Sequence, residues 1–382
     1  FQKAKHRKYQ SKKVLIDENV FIKETKISTQ NAFGKILDQY AKNNTDFSRR
    51  ILTTSPDVSV STNLGPWINR KGLFSRKDSS DTFKDRKIPS AQKWIFSSQG
   101  QHIELGIAEM NLFLMLGAAG LSHEFFGERL FPIGTVYDPF ISRGLDAMNY
   151  ACYQDARFMI VGTPSGISLA PEGGAHQSIA TPLIGISQPG LLSFEPAFAD
   201  ELALIMNYGF NYLQDESGGS IYLRLTTRSI DQPMREIDNE LKNNIIKGGY
   251  WLKKPGPNPE VIIVYQGAVA SEAIESTALL GEKFKNSGVL SITSSDKLFH
   301  EWKNQNSTSH IELLLEGVPR DTRIITVIDG HPMTLSWIGS IYGHKTIPLG
   351  VSSFGQTGKV EDLFKEFTID SQSISNLGFS IN

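Results

Sequence analysis

The sequence predicts an α/β protein built from two consecutive open-sheet domains. Three observations lead there. Short apolar, β-branched runs bounded by turn residues, such as Ile51-Leu-Thr-Thr, Phe158-Met-Ile-Val and Val261-Ile-Ile-Val, have the length and composition of buried strands. Segments with apolar residues three and four apart alternate with them, as helices do when they cover a mostly parallel sheet. A polar stretch from Gln232 to Pro259, with four prolines, interrupts this pattern and reads as a domain boundary.

The bulk properties narrow the function. A chain of 382 residues holds two or three domains with their own cores. Its 40% hydrophobic and 21% charged residues are ordinary for a soluble globular protein. A formal charge of −1 argues against nucleic acid as the main partner. No apolar run reaches the ~18 residues of a membrane span. The single cysteine, Cys152, cannot form an internal disulfide and fits a reducing cytoplasm. Neither a Walker phosphate loop nor a cysteine–histidine set with zinc spacing occurs.

In chain order, residues Phe1 to Lys13 are basic and polar and read as a solvated linker. Thr29 to Tyr40 reads as an amphipathic helix with Phe33, Ile36, Leu37 and Tyr40 on one face. Arg50 to Asp57 reads as a strand entering a loop, with Asp57 as a turn or cap residue. Asn69 to Lys93 is charged and reads as a surface excursion.

His102 to Gly120 reads as one helix, apolar nearly all the way round from Asn111 to Leu121 and so expected to be buried on all sides. Glu109, one turn inside its expected start, shares a side with Leu112, Phe113 and Leu116. A carboxylate there is costly unless it is paired or protonated.

Phe131 to Arg143 carries the aromatic residues Tyr137 and Phe140, and a helical pattern runs on to Tyr150. The buried strand at Arg157 to Gly162 opens into Gly162-Thr-Pro-Ser-Gly-Ile-Ser-Leu-Ala-Pro-Glu-Gly-Gly-Ala-His-Gln-Ser178. Four glycines and two prolines in these seventeen residues make it a loop. Loops that follow buried strands and carry Glu172 and His176 are candidate sites. Ser220 to Arg228 alternates as a strand and ends in Thr227-Arg228. Beyond the boundary, strands are expected at Glu260–Gln266, Val289–Ile292, Thr322–Asp329 and Lys345–Leu349, with helices between them and at Val360–Phe367. Asp329-Gly-His-Pro332 reads as a structural turn.

Two motifs carry a family resemblance. Gly106-Ile-Ala-Glu109-Met resembles the Gly-Ile-Xaa-Glu signature of the pyrimidine-binding domain in transketolase-type thiamine diphosphate enzymes. Glu172-Gly-Gly-Ala-His176-Gln resembles that family's acidic-Gly-Pro-Thr-His-Gln motif. The resemblance implies a pyrimidine-binding thiamine diphosphate fold followed by a transketolase C-terminal-like domain. It implies that Glu109 hydrogen-bonds a ring nitrogen of the aminopyrimidine and that Phe140 and Tyr137 pocket the ring. It also implies that His176 and Glu172 face the substrate, a task suited to an imidazole titrating near neutrality. Thr227-Arg228 is similar to the pair that binds sugar phosphate in transketolases, which makes Arg228 a substrate candidate.

The expected organisation is therefore a linker at 1–28 from a missing N-terminal domain, a pyrimidine-binding domain at 29–236, a linker at 237–259 and the C-terminal-like domain at 260–382. No Gly-Asp-Gly motif is present, so the magnesium that holds the cofactor's diphosphate is expected on the absent domain. A chain opening on Phe1 fits a piece of a longer protein. The family builds each site from two subunits, which implies a homodimer. Gly162-Thr-Pro-Ser-Gly-Ile167 departs from the His-Asp-Ser-Ile-Gly of transketolases. The run Ala156 to Gly166 is more similar to the homodimeric first component of bacterial pyruvate dehydrogenase complexes. The resemblance thus implies 2-oxo acid decarboxylation, with an acyltransferase complex as a candidate partner. Transketolase-type ketol transfer is the first alternative and a non-catalytic α/β binding module the second. Alone, the chain is expected to bind cofactor weakly and not to turn over.

Overall fold

The computed structural model of the protein describes residues 11–18, 20–77, 85–89, 93–281, 283–304 and 306–380. The basic residues between Lys3 and Lys8, and part of the charged excursion before residue 93, lie outside them.

A short strand β1 (Lys26–Ile27) leads to the capped helix Thr29–Asn43, in which Ser28 accepts the N–H of Asn31. Phe33, Ile36, Leu37 and Tyr40 are buried on one face, as their spacing predicts. Eight strands follow among the described residues: β2 (Ile51–Ser55), β3 (Leu73–Phe74), β4 (Phe96–Ser97), β5 (His102–Glu104), β6 (Phe131–Val136), β7 (Met159–Gly162), β8 (Leu191–Phe194) and β9 (Ser220–Arg224). They form one parallel sheet in the order β4-β3-β5-β2-β6-β7-β9-β8. Its inner strands β6, β7 and β9 are buried along their whole length because helices cover both faces, as in parallel sheets generally. On one side Tyr40, Phe47, Phe131 and Phe210 meet edge to face at 4.9–5.8 Å between centroids. On the other side Leu112, Phe113, Leu116, Met148 and Ile160 pack together.

After β10 (Ile230–Asp231), which pairs antiparallel with β1, the chain enters a second sheet. This holds β11 (Gly249–Lys253), β12 (Val261–Gln266), β13 (Gly288–Ile292), β14 (Arg323–Ile328) and β15 (Thr346–Leu349), in the order β11-β13-β12-β14-β15. All its pairings are parallel except the one between β11 and β13.

Three expectations need correction. The segment 237–259 is not a linker throughout: it holds the helix Asn239–Lys247 and the edge strand β11. Prolines and lysines around Gly249-Tyr-Trp-Leu-Lys253 mask a strand whose aromatic residues pack on the sheet. The segment expected as a linker at 1–28 is not a free connection throughout its described part either. Val14, Ile16 and Val20 are buried, and Gln214 exchanges two hydrogen bonds with the backbone of Val14. Finally, His102 does not begin a helix. His102–Glu104 pairs with Thr53–Ser55, Gly106 turns the chain at φ 66°, and the helix starts at Glu109.

That helix, Glu109–Gly120, is not enclosed on all sides. Leu112, Phe113 and Leu116 are buried, but Met110 and Leu114 are exposed. Ile107, Phe125, Phe126, Tyr150 and Tyr153 extend the exposed apolar surface across the neighbouring segments. The sequence is apolar all round, while this single chain covers one side of it.

Candidate functional site

The carboxyl ends of parallel strands gather loops at one edge of a sheet, where open α/β proteins bind ligands. Three such ends build this site. β6 runs into the turn Asp138–Gly144, which carries Phe140 and Arg143, with Tyr137 just before it. β7 runs into the glycine-rich loop, whose tight turns Gly166–Glu172 and Gly174–His176 present Glu172 and His176. β5 leads through Gly106 to Glu109 at the head of its helix.

The side chains form a continuous strip. Glu109 is 8% exposed, and its Oε1 accepts Nη1 of Arg143 at 2.5 Å. The Arg143 guanidinium lies 3.9 Å from the centroid of the Phe140 ring. Phe140 stacks on Tyr137 at 6.0 Å and meets the His176 ring edge to face at 5.3 Å. The Tyr137 hydroxyl points to Glu172 Oε1 at 3.5 Å. Glu109, Tyr137, Phe140, Glu172 and His176 therefore share one surface. The strip suits a flat heterocycle: an aromatic face, a shielded carboxylate at one end and an imidazole at the other. Among the described residues no cluster of three or more His, Cys, Asp or Glu side chains could hold a metal ion.

Arg228 is not part of the strip. Its guanidinium forms two hydrogen bonds to the carboxylate of Glu272, donates a third to the carbonyl of Ala268 at 2.9 Å, and lies over the ring of Phe364. All three partners belong to the second sheet's layer, so Arg228 joins the domains. The reason is local. Thr226 turns the chain end by accepting the Arg228 N–H, aiming the side chain at the helix Ala270–Leu280.

Beneath the strip lies a buried charge cluster. Asp138 accepts from Ser178, Thr181, Tyr222 and Arg224. Arg224 Nη1 reaches Glu195 Oε1 at 2.5 Å, and Gln266 Nε2 reaches Glu195 Oε2 at 3.0 Å. Asp329, at the end of β14, accepts the N–H of Ile167 at 3.0 Å. Burial pushes the Glu195 carboxyl up to about 7 and the Asp329 carboxyl up to about 6, in each case against the pull of Arg224. The cluster ties both site loops to the second domain: Asp138 lies between Tyr137 and Phe140, Ser178 two residues past His176, and Asp329 and Gln266 across the junction. A second tie is Gln177 Nε2 donating to the Gln356 carbonyl at 2.9 Å.

Comparison with known proteins follows the same division. The family described as pyruvate dehydrogenase E1 component middle domain matches residues 11–233, more than half of the chain. The chain belongs to this family. A second family, the transketolase-like C-terminal domain, matches residues 248–370. The pyruvate dehydrogenase E1 component of Escherichia coli strain K12 is 24% identical over 365 residues, covering 91% of this chain and 40% of that protein. Transketolase 1 of Candida albicans is 26% identical over 278 residues, covering 72% of this chain and 37% of that protein. The chain thus spans about 40% of the length of such curated relatives. Among solved structures, transketolase from Leishmania mexicana matches with a TM-score of 0.74 at 19% identity, over 95% of this chain and 46% of that one. A structure titled "Split gene transketolase, inactive beta4 tetramer" matches at 0.62 and 19% identity, over 93% of this chain and 98% of that one. These likenesses show the fold: the two consecutive α/β units found in these transketolase structures.

Sequence reasoning missed Arg143, Asp138, Glu195 and Arg224. Arg224 had a readable signal. It interrupts the buried run Ile221-Tyr-Leu, and an arginine inside a central strand demands buried acids. Asp329 was legible as a strand-end residue, but not as a member of a cross-domain cluster.

Proposed function

We propose that this chain supplies the pyrimidine-binding and substrate-facing half of a thiamine diphosphate enzyme that decarboxylates a 2-oxo acid, as a pyruvate dehydrogenase first component does. The observation that carries the proposal is the strip itself: a shielded carboxylate, a stacked aromatic pair and a histidine in contact along one sheet edge. The residues fit the cofactor's aminopyrimidine, with Phe140 and Tyr137 against the ring and Glu109 at a ring nitrogen. When bound, thiamine diphosphate supplies the nucleophilic carbon and the electron sink for cleaving a carbon–carbon bond beside a carbonyl. Glu109 holds or gives a proton at the ring nitrogen. His176, packed on Phe140, orients the substrate and moves a proton at its carbonyl oxygen. Glu172 borders the same space through Tyr137. The groups that hold the diphosphate and its magnesium come from a domain not contained in this chain, and the chain alone binds cofactor weakly and does not turn over.

The exposed apolar face around Leu114, Tyr150 and Tyr153 supports a homodimer, because a patch of this kind marks an association surface. No helix among the described residues is long and apolar enough to cross a membrane, and a cytoplasmic setting with an acyltransferase complex as acceptor belongs to the same reading. Ketol transfer is less favoured, since Arg228 is committed to Glu272 instead of being available to a sugar phosphate. The test is an assay of the chain joined to its diphosphate-binding half. Pyruvate with an artificial electron acceptor is expected to turn over, and xylulose 5-phosphate with an aldose acceptor is not. The opposite preference would reassign the chain to transketolase chemistry.

A further inference from the structure

Arg143 makes two contacts that a bound aminopyrimidine would also need. Its guanidinium lies over the Phe140 ring, 3.9 Å from the centroid, while its Nη1 donates to Glu109 at 2.5 Å. Its side chain is 52% exposed, whereas that of Glu109 is 10% exposed, so the arginine reaches in from the solvent side over a shielded acid. Guanidinium is planar, stacks on aromatic faces and donates through a rigid fork. A nitrogen heterocycle offers the same plane, and its ring nitrogen accepts a proton held on the same carboxyl group. Both cannot use one aromatic face and one carboxylate at once.

We propose that Arg143 is a gate on this site: it occupies the recognition groups of the pyrimidine ring and must swing outward before the ring can bind. The proposal rests on the reading of Glu109 and Phe140 as the pyrimidine site. The turn Asp138–Gly144 is fixed at its start by the buried Asp138 and at its end by Gly144, which packs against Phe113 with no room for a Cβ. Gating is therefore a side-chain rotation, while the backbone that carries Phe140 stays in place. The apparent dissociation constant equals the intrinsic one divided by the fraction of molecules with Arg143 turned away. An ion pair with one exposed partner and a cation–π contact of this kind are together worth roughly a tenfold population ratio.

The experiment uses the neutral pyrimidine half of the cofactor, 4-amino-5-hydroxymethyl-2-methylpyrimidine, in mildly alkaline buffer. Without phosphate or a fixed charge on the probe, the charge of Arg143 does not bias the result. Binding to the wild-type chain, Arg143→Ala and Glu109→Gln is measured by ligand-observed NMR, with circular dichroism to confirm folding. The gate predicts that Arg143→Ala binds about five- to tenfold more tightly than wild type, and that Glu109→Gln binds more weakly. Equal or weaker binding by Arg143→Ala, with Glu109→Gln still weakened, overturns the gate and leaves the site reading standing. No binding by any variant, or equal binding by Glu109→Gln, overturns the site reading and the gate with it.

Discussion

Arg224 illustrates how single residues decide this molecule. It is buried at the end of β9, a strand paired on both sides, with Asp138 and Glu195 in contact and Asp329 close enough to be drawn by its charge. Three acids around one arginine leave excess negative charge when all are ionised, which is why burial and mutual repulsion push Glu195 up to about 7. The consequence for stability has a definite sign. Between the ordinary carboxyl value of 4.5 and about 7, the folded protein keeps a proton on Glu195 that the unfolded chain has released. Stability from this group is complete below that window and is lost as pH rises through it, by on the order of 1 kcal/mol per pH unit. Asp329 acts in the same direction over a lower window, from 3.8 to about 6. Urea midpoints measured from pH 5 to pH 8 are expected to fall with rising pH, and Glu195→Gln to flatten the upper part of that slope. An unchanged slope in the variant would remove Glu195 from the account.

At the scale of elements, legibility followed burial pattern. The strands around Ile51, Met159, Val261, Leu290 and Ile325 were readable because apolar β-branched runs with turn residues at both ends have few other uses. The two-residue strands β3 and β4 were not, since nothing in so short a run sets a period. His102–Glu104 read as helix because Glu109 and the apolar residues after it extend a helical pattern backwards. Only Gly106, turning at φ 66°, separates the two. Glu109 and His176 were singled out through two local motifs and Phe140 and Tyr137 through the family resemblance alone, whereas the Arg143 contact was not legible, because it depends on how the turn Asp138–Gly144 folds back over Glu109. The same helix makes an element-level prediction. Its outer face, Met110 and Leu114, is apolar and exposed. Leu114→Arg would place a charge in any subunit seam there and is expected to raise the dimer dissociation constant about 100-fold or more. Sedimentation velocity checks this. A wild-type chain that stays monomeric at all concentrations, or a variant that dimerises equally well, would contradict the homodimer reading.

For the whole molecule, the two sheets are joined at the same edge that carries the site. Arg228 with Glu272, Gln177 with Gln356, and the Asp138–Arg224–Glu195 cluster all cross or flank that junction. The second domain therefore does more than follow the first in sequence. It braces the loops that hold Phe140 and His176, and the sequence could not reveal this, because the partners lie on separate elements, 29 to 179 residues apart. Covalent order was legible in the motifs, while the cross-domain wiring needed the fold. The central claim is that Glu109 meets the pyrimidine ring of thiamine diphosphate. Its most direct test is cofactor-dependent turnover of pyruvate by the chain assembled with its diphosphate-binding half, comparing wild type with Glu109→Gln. The account predicts a loss of about 100-fold or more with an unchanged thermal unfolding midpoint, and turnover close to wild type in the folded variant would contradict it.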